Sequence, residues 1–335
     1  MIIINRAYLV AEIGVNHNGN IDIAKKLLVA ARNAGADAVK TQSFYAEYLV
    51  SRSAKRAIYQ QITTFDNVNQ LEMLRKLELS KDTLTELFEY ANELGITLFS
   101  TPFDMQSIND LVALGNPIFK ISSGEINNLP YLIKIASLNK KTILSTGMST
   151  LDEILQAVNI LKQNGCRDLT VLHCNTQYPT PLIDANVRAM ITLRDTLNIP
   201  VGYSDHTEGM EAALAAVALG ATIIEKHFTL SRDTEGPDHK ASMEPEHFAQ
   251  MVKSIRNIET ALGDGNKIVT SSEYENITIV RKSIIAKRDI KIGELFSEEN
   301  ITIKRPGNGI SPMKWFDVLG KFAKRNFKED ELIEL

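Results

Sequence analysis

Short apolar segments rich in β-branched residues alternate along most of the chain with longer segments in which apolar residues recur at helical spacing. The short segments predict eight strands, at Tyr8–Ile13, Ala38–Thr41, Thr97–Ser100, Ile118–Ile121, Thr142–Ser145, Leu169–His173, Pro200–Tyr203 and Thr222–Glu225. The longer segments predict helices, among them Ile21–Asn33, Asp82–Leu94, Leu151–Leu161 and Glu211–Ala218. This strand–helix alternation predicts a (β/α)8 TIM barrel. A doubly wound open sheet is the alternative, although no GxGxxG motif follows the first strand to support its dinucleotide-binding form.

The alternation ends near Leu262, which predicts a barrel domain over residues 1–262. Glycines and polar residues then predict a linker over residues 263–279. Short alternating segments such as Ser283–Ala286 and Ile301–Lys304 predict a small β-rich domain over residues 280–335. Because so small a unit has a marginal core, we expect it to dock on a barrel, its own or a partner's.

Charge and cysteine content narrow the class of protein. The formal net charge is −4, so no global basic field attracts nucleic acid. The two cysteines, Cys166 and Cys174, are too few for a disulfide framework and fit a reducing compartment. No run of about 20 apolar residues predicts a membrane span. We therefore expect a cytoplasmic enzyme or binding protein.

Polar or ionisable residues follow every predicted barrel strand, where a TIM barrel has its active site. These residues include Glu12, Lys40, Gln42, Thr101, Lys120, Ser123, Glu125, Ser145, His173, Thr176, Tyr178, Ser204, Asp205, His206, Glu225 and His227. Lys40 and Lys120, with the surrounding hydroxyls and glycines, suit a phosphate-bearing anion. A serine or threonine taken singly is better explained by a turn or a helix N-cap.

His206 and His227 end neighbouring strands, so both imidazoles can reach one divalent metal. Two histidines with a purely structural role, in the core or at a helix cap, would give the same sequence pattern. Asp205 and Glu225 lie close in sequence, and we expect them to support the histidines as hydrogen-bond partners. Two loops carry further candidates: Asp238 follows the eighth strand, and Arg305 lies in the small domain.

Taken together, these segments resemble the sialic acid synthase family over nearly the whole chain. The motifs that carry the resemblance are AEIGVNHNG at 11–19, VKTQ at 39–42, STPFD at 100–104, KISSGEINNLPYL at 120–132, LSTGM at 144–148, LHCNTQYPTP at 172–181, YSDHT at 203–207, EKHFT at 225–229, GPDHKAS at 236–242 and KRPGNGISP at 304–312. The resemblance implies a barrel followed by an antifreeze-like SAF domain. It also implies a domain-swapped homodimer and a divalent metal, Mn2+ or in its place Mg2+ or Co2+.

The same resemblance implies roles for individual residues. His206 and His227 match the metal ligands, and Glu12 matches a carboxylate needed for turnover. Residues that match phosphoenolpyruvate contacts are Thr101, Lys120, Ser123, Ser145 and Ser204. Residues that match the sugar side are Lys40, Gln42, Glu125, Tyr178 and Asp238, and Thr176 joins this substrate-binding set. Arg305 matches an arginine that reaches across from the partner. Relatives often have Cys-Thr where this chain has Cys174-Asn175-Thr176, so the register there departs from the pattern.

The implied reaction joins phosphoenolpyruvate to an open-chain amino sugar and releases phosphate by C–O cleavage. N-Acetylmannosamine, giving N-acetylneuraminate, is the first expectation. A 2,4-diacetamido-2,4,6-trideoxymannose, giving legionaminic acid, is the alternative. The SSGE and GPDH segments argue against the pseudaminate branch of the family.

Two other classes of protein remain open as interpretations of the sequence. A Schiff-base aldolase or related keto-deoxy sugar acid synthase would need a desolvated lysine, which borohydride trapping with pyruvate would reveal. A sugar sensor that kept the fold would bind without turnover.

Overall fold

The chain is described by a computed structural model, which covers residues 6–56 and 69–335. It divides into two compact units, the first ending at Asp264 and the second beginning at Gly265. Among the described residues, no helix combines the length and apolar character that a membrane crossing requires.

The first unit is built on eight parallel strands in the spatial order β3-β2-β1-β8-β7-β6-β5-β4. The strands are β1 (Tyr8–Gly14), β2 (Ala38–Ser43), β3 (Thr97–Pro102), β4 (Ile118–Ile121), β5 (Lys141–Ser145), β6 (Leu169–Cys174), β7 (Val201–Asp205) and β8 (Ile223–His227). The end strands β3 and β4 contact each other. The Asn116 side chain joins them, since it accepts from Ser100 N at 3.1 Å and donates to Ile118 O at 2.8 Å. The predicted TIM barrel is therefore confirmed.

Helices follow the strands along the chain, and most of them cover the outside of the barrel. They are α1 (Ile21–Asn33), α2 (Ala46–Leu49), α3 (Gln70–Leu77), α4 (Lys81–Leu94), α5 (Met105–Ala113), α6 (Leu129–Ser137), α7 (Leu151–Gln163), α8 (Ala189–Leu197), α9 (Glu211–Ala218) and α10 (Pro245–Leu262). Local sequence explains their ends. A capping box between Thr150 and Glu153 starts α7, and Gly95 in the left-handed conformation (φ 68°) ends α4. Most of them bury an apolar stripe against the sheet, as Leu27 and Leu28 of α1 do, whereas α2 and α3 pack in a separate cluster with the loops after β1, β2 and β3.

Apolar side chains fill the interior of the barrel at the level below the strand ends. This layer consists of Val10, Ala38, Phe99, Ile118, Ile143, Leu172 and Ile223, one from each strand except β7. β7 contributes Gly202, where an added Cβ would lie 2.4 Å from the Ile223 carbonyl oxygen. Because side chains alternate along a strand, the residue two positions further on also points inward, one level higher. The apolar layer therefore forms the floor of the space at the carboxyl ends of the strands.

The second unit contains a small antiparallel sheet of β9 (Ser283–Ala286) and β10 (Ile301–Lys304). Its helices are α11 (Tyr274–Val280) and α12 (Trp315–Val318). A compact core packs behind the sheet, with Phe296 and Phe327 in edge-to-face contact at 5.8 Å between ring centroids. The span 263–279, expected to be a linker, includes a 3-10 turn at Ser271–Glu273 and most of α11.

Candidate active site

Directly above the apolar floor lies a layer of polar side chains, each two residues beyond a floor residue on its strand. The layer consists of Glu12, Lys40, Thr101, Lys120, Ser145, Cys174, Ser204 and Glu225, all buried. Gln42, His206 and His227 stand one further level up. The period of two along each strand therefore places the predicted residues in one ring at the barrel mouth.

Buried ion pairs connect the two lysines of this layer to two carboxylates. Lys40 Nζ contacts Glu12 Oε2 and lies 3.9 Å from Glu225 Oε2. Lys120 Nζ lies 3.3 Å from Glu225 Oε1. Ser204 Oγ donates to Glu225 Oε1 at 2.9 Å. Glu225 thus links both lysines, and these pairings let four charges remain buried.

The network sets the proton affinity of its members. Burial raises the pKa of Glu225, but Lys120, Lys40 and the Ser204 hydroxyl together outweigh burial and hold that pKa at about 2. Burial raises the pKa of Glu12 despite its contact with Lys40. Burial and then the nearby charge of Glu12 raise the pKa of Asp238 to about 7. The site therefore contains one firmly ionised carboxylate and two that accept a proton more readily.

The two histidine rings lie close together at the ends of β7 and β8, with centroids 5.4 Å apart and ring planes tilted by 60°. Burial lowers the pKa of His206 to about 4 and the pKa of His227 well below its usual range, so both rings are neutral. His206 Nδ1 donates to the Asn175 carbonyl, which leaves the lone pair on Nε2. The Tyr178 hydroxyl lies 3.1 Å from that Nε2. His227 Nδ1 is buried without a hydrogen-bond partner among the described residues and lies 3.8 Å from Asp238 Oδ2.

Asp205 and Glu225 do not support the histidines as expected. Asp205 faces away from the cavity, where it pairs with the buried Lys226 at 2.8 Å and accepts from Thr207 N at 2.9 Å. This cluster fixes the loop that carries His206. Glu225 faces the lysines, as described above. The expectation was wrong for Asp205 because adjacent residues on a strand point to opposite faces. It was wrong for Glu225 because that carboxylate, although on the same inward face as His227, pairs with the lysines and Ser204.

Hydroxyls and a glycine line the β4–β6 side of the mouth. Ser123 Oγ accepts from Gly147 N at 2.9 Å and lies 3.3 Å from Cys174 Sγ. A Cβ on Gly147 would lie 2.6 Å from Thr176 Cγ2 and 3.0 Å from Ser123 Oγ, so only glycine permits this approach. Ser145 Oγ is buried without a hydrogen-bond partner among the described residues, which leaves a donor for a ligand.

A cavity of about 470 Å³ opens over this ring. Every barrel residue to which the family resemblance assigned a role lines it: Glu12, Lys40, Gln42, Thr101, Lys120, Ser123, Glu125, Ser145, Thr176, Tyr178, Ser204, His206, His227 and Asp238. Of the other strand-end candidates, His173 and Asp205 do not line this cavity. Arg305 belongs to the second unit and is exposed there. The volume suits two small substrates or one of moderate size.

Sequence reasoning missed two features of the cavity. Glu225 was predicted to support the histidines. It lies two residues before His227 and therefore also points into the barrel, which could have indicated its contacts with the lysines. The second feature is a group of apolar residues contributed by the β1, β2 and β3 loops and by α3. No motif marked these residues, because their apolar pattern resembles that of an ordinary core.

A nearly closed eight-stranded parallel barrel, with a cavity lined by ionisable side chains at the carboxyl ends of its strands, defines the chain as a TIM-barrel protein with an enzyme-like site. Its sequence matches the NeuB family over residues 27–267 and the SAF domain over residues 281–334. The chain belongs to the NeuB family.

Similar proteins carry synthase names. The chain is 54% identical over 330 residues to an N,N'-diacetyllegionaminic acid synthase of Campylobacter jejuni, covering 98% of this chain and 99% of that one. It is 45% identical to the N,N'-diacetyllegionaminic acid synthase of Legionella pneumophila, covering 95% and 91%. Among solved structures, it resembles an N-acetylneuraminic acid synthetase of Leptospira borgpetersenii, with a TM-score of 0.73, 35% identity and coverage of 82% and 91%. The chain is an enzyme of this synthase class.

Proposed function

We propose that the protein is an N,N'-diacetyllegionaminic acid synthase, which condenses phosphoenolpyruvate with open-chain 2,4-diacetamido-2,4,6-trideoxymannose. The observation that carries this proposal is similarity along nearly the full chain to two synthases of that name, at 54% and 45% identity. It favours this sugar over N-acetylmannosamine, the first expectation from the sequence. N-Acetylmannosamine remains the second candidate because of the 35% identity to the Leptospira protein.

In the proposed reaction, C3 of phosphoenolpyruvate attacks the aldehyde carbon of the sugar and forms the new C–C bond. Water then adds to C2, and the C2–O bond to phosphate breaks. Lys120, Ser123 and Ser145 supply the positive charge and hydroxyl donors that bind the phosphoenolpyruvate anion. Glu12, whose pKa burial raises, is suited to accept the proton of the attacking water.

Other side chains around the cavity supply the sugar contacts in this proposal. Gln42 donates to Glu12 Oε1 at 3.1 Å and keeps further hydrogen-bonding capacity towards the cavity. Glu125, Tyr178 and Asp238 supply additional polar groups for the sugar's hydroxyls and amides. Holding both reactants in one enclosed mouth converts a bimolecular step into an effectively unimolecular one.

The charge of the cavity supports a divalent cation. Its described lining has two lysines and four carboxylates, Glu12, Glu125, Glu225 and Asp238, while the histidines are neutral. A phosphoenolpyruvate anion entering this lining needs additional positive charge. His206 Nε2 and His227 Nδ1 are nitrogen donors suited to such an ion, and Mn2+ is the proposed metal. The described residues hold no third His, Cys, Asp or Glu grouped with them, so water or substrate oxygens would complete the coordination.

A bound divalent ion supplies Lewis-acid polarisation of the aldehyde carbonyl. The chain's own contribution is to keep both imidazoles neutral by burial and to fix the His206 ring through the Asn175 carbonyl.

We further propose a homodimer in which Arg305 of the partner subunit contacts the sugar. Arg305→Ala should then lower kcat/KM for the sugar and leave Mn2+ binding intact. Mixing the impaired Arg305→Ala with inactive His206→Ala under subunit exchange should raise activity above that of either variant alone, because one site then combines an intact barrel with an intact Arg305. Absence of recovery despite demonstrated exchange would contradict a contribution from the partner.

The proposed function predicts phosphate release that requires both phosphoenolpyruvate and an amino sugar. With phosphoenolpyruvate carrying 18O in the bridging position, the label should appear in phosphate, since the C–O bond breaks. Phosphate and product are measured by mass spectrometry against 2,4-diacetamido-2,4,6-trideoxymannose, N-acetylmannosamine and no sugar. Sugar-independent phosphate release, or no release with any sugar, would contradict the proposal.

A further inference from the structure

One side of the cavity is apolar. We call this side the apolar wall, and it consists of Val15, Phe44, Leu49, Val50, Met73, Leu74, Leu77 and Phe103. These residues also form a packing cluster of their own, separate from the main core, together with Ala46 and Leu71. Leu49, Val50 and Phe103 are only half-buried, so the cluster presents carbon surface to the cavity.

The apolar wall lies on a different arc of the barrel mouth from Lys120, Ser123 and Ser145, the groups proposed to bind the phosphoenolpyruvate anion. Its residues follow β1, β2 and β3 or belong to α3, whereas those three residues follow or end β4 and β5. The two other residues matched to phosphoenolpyruvate, Thr101 on β3 and Ser204 on β7, belong to the buried polar layer. In the sheet order, β7 and β8 with the two histidines lie between β1 and the β5–β6 region. A molecule with one end at the histidines can therefore extend along the β1–β3 side and contact the apolar wall.

Polar contacts behind the apolar wall hold it in place. Glu47 of α2 pairs with Arg75 of α3 at 2.7 Å. The Glu78 side chain accepts from Ala46 N at 3.0 Å, and Asp104 accepts from Tyr45 N at 2.9 Å. These bonds tie α2 to α3 and to the β3 loop. The carbon surface is consequently preorganised rather than assembled around a ligand.

Hydroxyls pressed against such a surface lose water without gaining a hydrogen-bond partner. A fully hydroxylated hexose is therefore a poor match for this arc, whereas a sugar ending in a methyl group fits it. We propose that the apolar wall receives the C6 methyl end of the amino sugar and selects the 6-deoxy sugar over its 6-hydroxyl counterpart. This inference rests on the proposed function and names the part of the site that determines the sugar's identity.

The test compares kcat/KM for 2,4-diacetamido-2,4,6-trideoxymannose with kcat/KM for the same sugar carrying a 6-hydroxyl group. The wild-type enzyme should prefer the 6-deoxy sugar by about tenfold to a hundredfold, the range for an apolar pocket that meets an added hydroxyl. Val50→Thr keeps the side-chain shape and adds a hydroxyl, so it should lower this preference at least about threefold. Leu49→Asn, at a second half-buried position, should act in the same direction.

Leu71→Val is the matched control. Leu71 belongs to the same packing cluster but does not line the cavity, so the variant should lower Tm and leave the preference between the two sugars unchanged. Equal use of both sugars by the wild-type enzyme would overturn the inference while leaving the proposed function intact. An equal change of kcat/KM for both sugars in Val50→Thr and Leu49→Asn would also overturn it. No turnover of either sugar would instead contradict the proposed function.

Discussion

Replacing His206 or His227 by alanine is expected to lower kcat/KM by about a thousandfold or more, since Lewis-acid catalysis contributes several kcal/mol. Both rings are buried, neutral and line the cavity. His206 Nε2 carries the lone pair, and His227 Nδ1 has no hydrogen-bond partner among the described residues. Turnover is measured after EDTA treatment and Mn2+ re-addition, and bound metal is measured by elemental analysis. Both activity and bound metal should fall while the circular dichroism spectrum is retained.

His247→Ala serves as the control for this first prediction. His247 is exposed on α10, outside the cavity, and its loss should change neither metal content nor turnover. If His206→Ala or His227→Ala regains the wild-type rate once Mn2+ is restored, the assignment of a metal to these histidines is wrong.

Replacing Lys120 by methionine should raise the KM for phosphoenolpyruvate by about tenfold to a hundredfold, the effect of losing a charge-assisted contact. Methionine approximates the shape of the lysine stem, so packing against the apolar floor is retained. The KM for the sugar should change little, because Lys120 lies on the arc with Ser123 and Ser145. Steady-state kinetics with each substrate varied in turn separates the two effects.

Lys120→Met also leaves Glu225 with a weaker ion pair, which lowers stability. The double variant Lys120→Met/Glu225→Gln removes the carboxylate charge that only Lys40 would still offset, so it should recover part of the lost Tm without recovering the KM for phosphoenolpyruvate. Lys140→Ala, at an exposed position outside the cavity, is the surface control. A KM for phosphoenolpyruvate that stays at the wild-type value in Lys120→Met would exclude Lys120 from the anion site.

The barrel could be predicted from the sequence because its signals are local. Apolar β-branched runs and amphipathic stretches placed β4 at its observed residues, and also α1 and α9. The observed β2 and β8 run two residues further than predicted, to Ser43 and His227. Polar residues there continue the strand because the ladder pairs Gln42 with Thr101 and His227 with Glu12. Polarity at a strand's carboxyl end indicates the cavity rather than the end of the strand.

The residues of the site could be predicted from the sequence, but the contacts between them could not. The motifs place Lys40, Lys120 and the histidines at the carboxyl ends of parallel strands, and these ends meet at one mouth of the barrel. The role of Glu225 depends on distances across the barrel to two lysines on other strands, which no local pattern contains. The apolar wall depends on α2 and α3 folding back beside the β1–β3 loops, a tertiary arrangement that the motifs do not specify.

The most direct test of the proposed function is a competition between two sugars for limiting phosphoenolpyruvate. The enzyme is supplied with equal concentrations of 2,4-diacetamido-2,4,6-trideoxymannose and N-acetylmannosamine in Mn2+, and the products are quantified by mass spectrometry. Their ratio equals the ratio of the two kcat/KM values. We expect N,N'-diacetyllegionaminic acid to exceed N-acetylneuraminic acid by at least about tenfold, the lower range for discrimination by an apolar pocket. A product mixture dominated by N-acetylneuraminic acid would contradict the account.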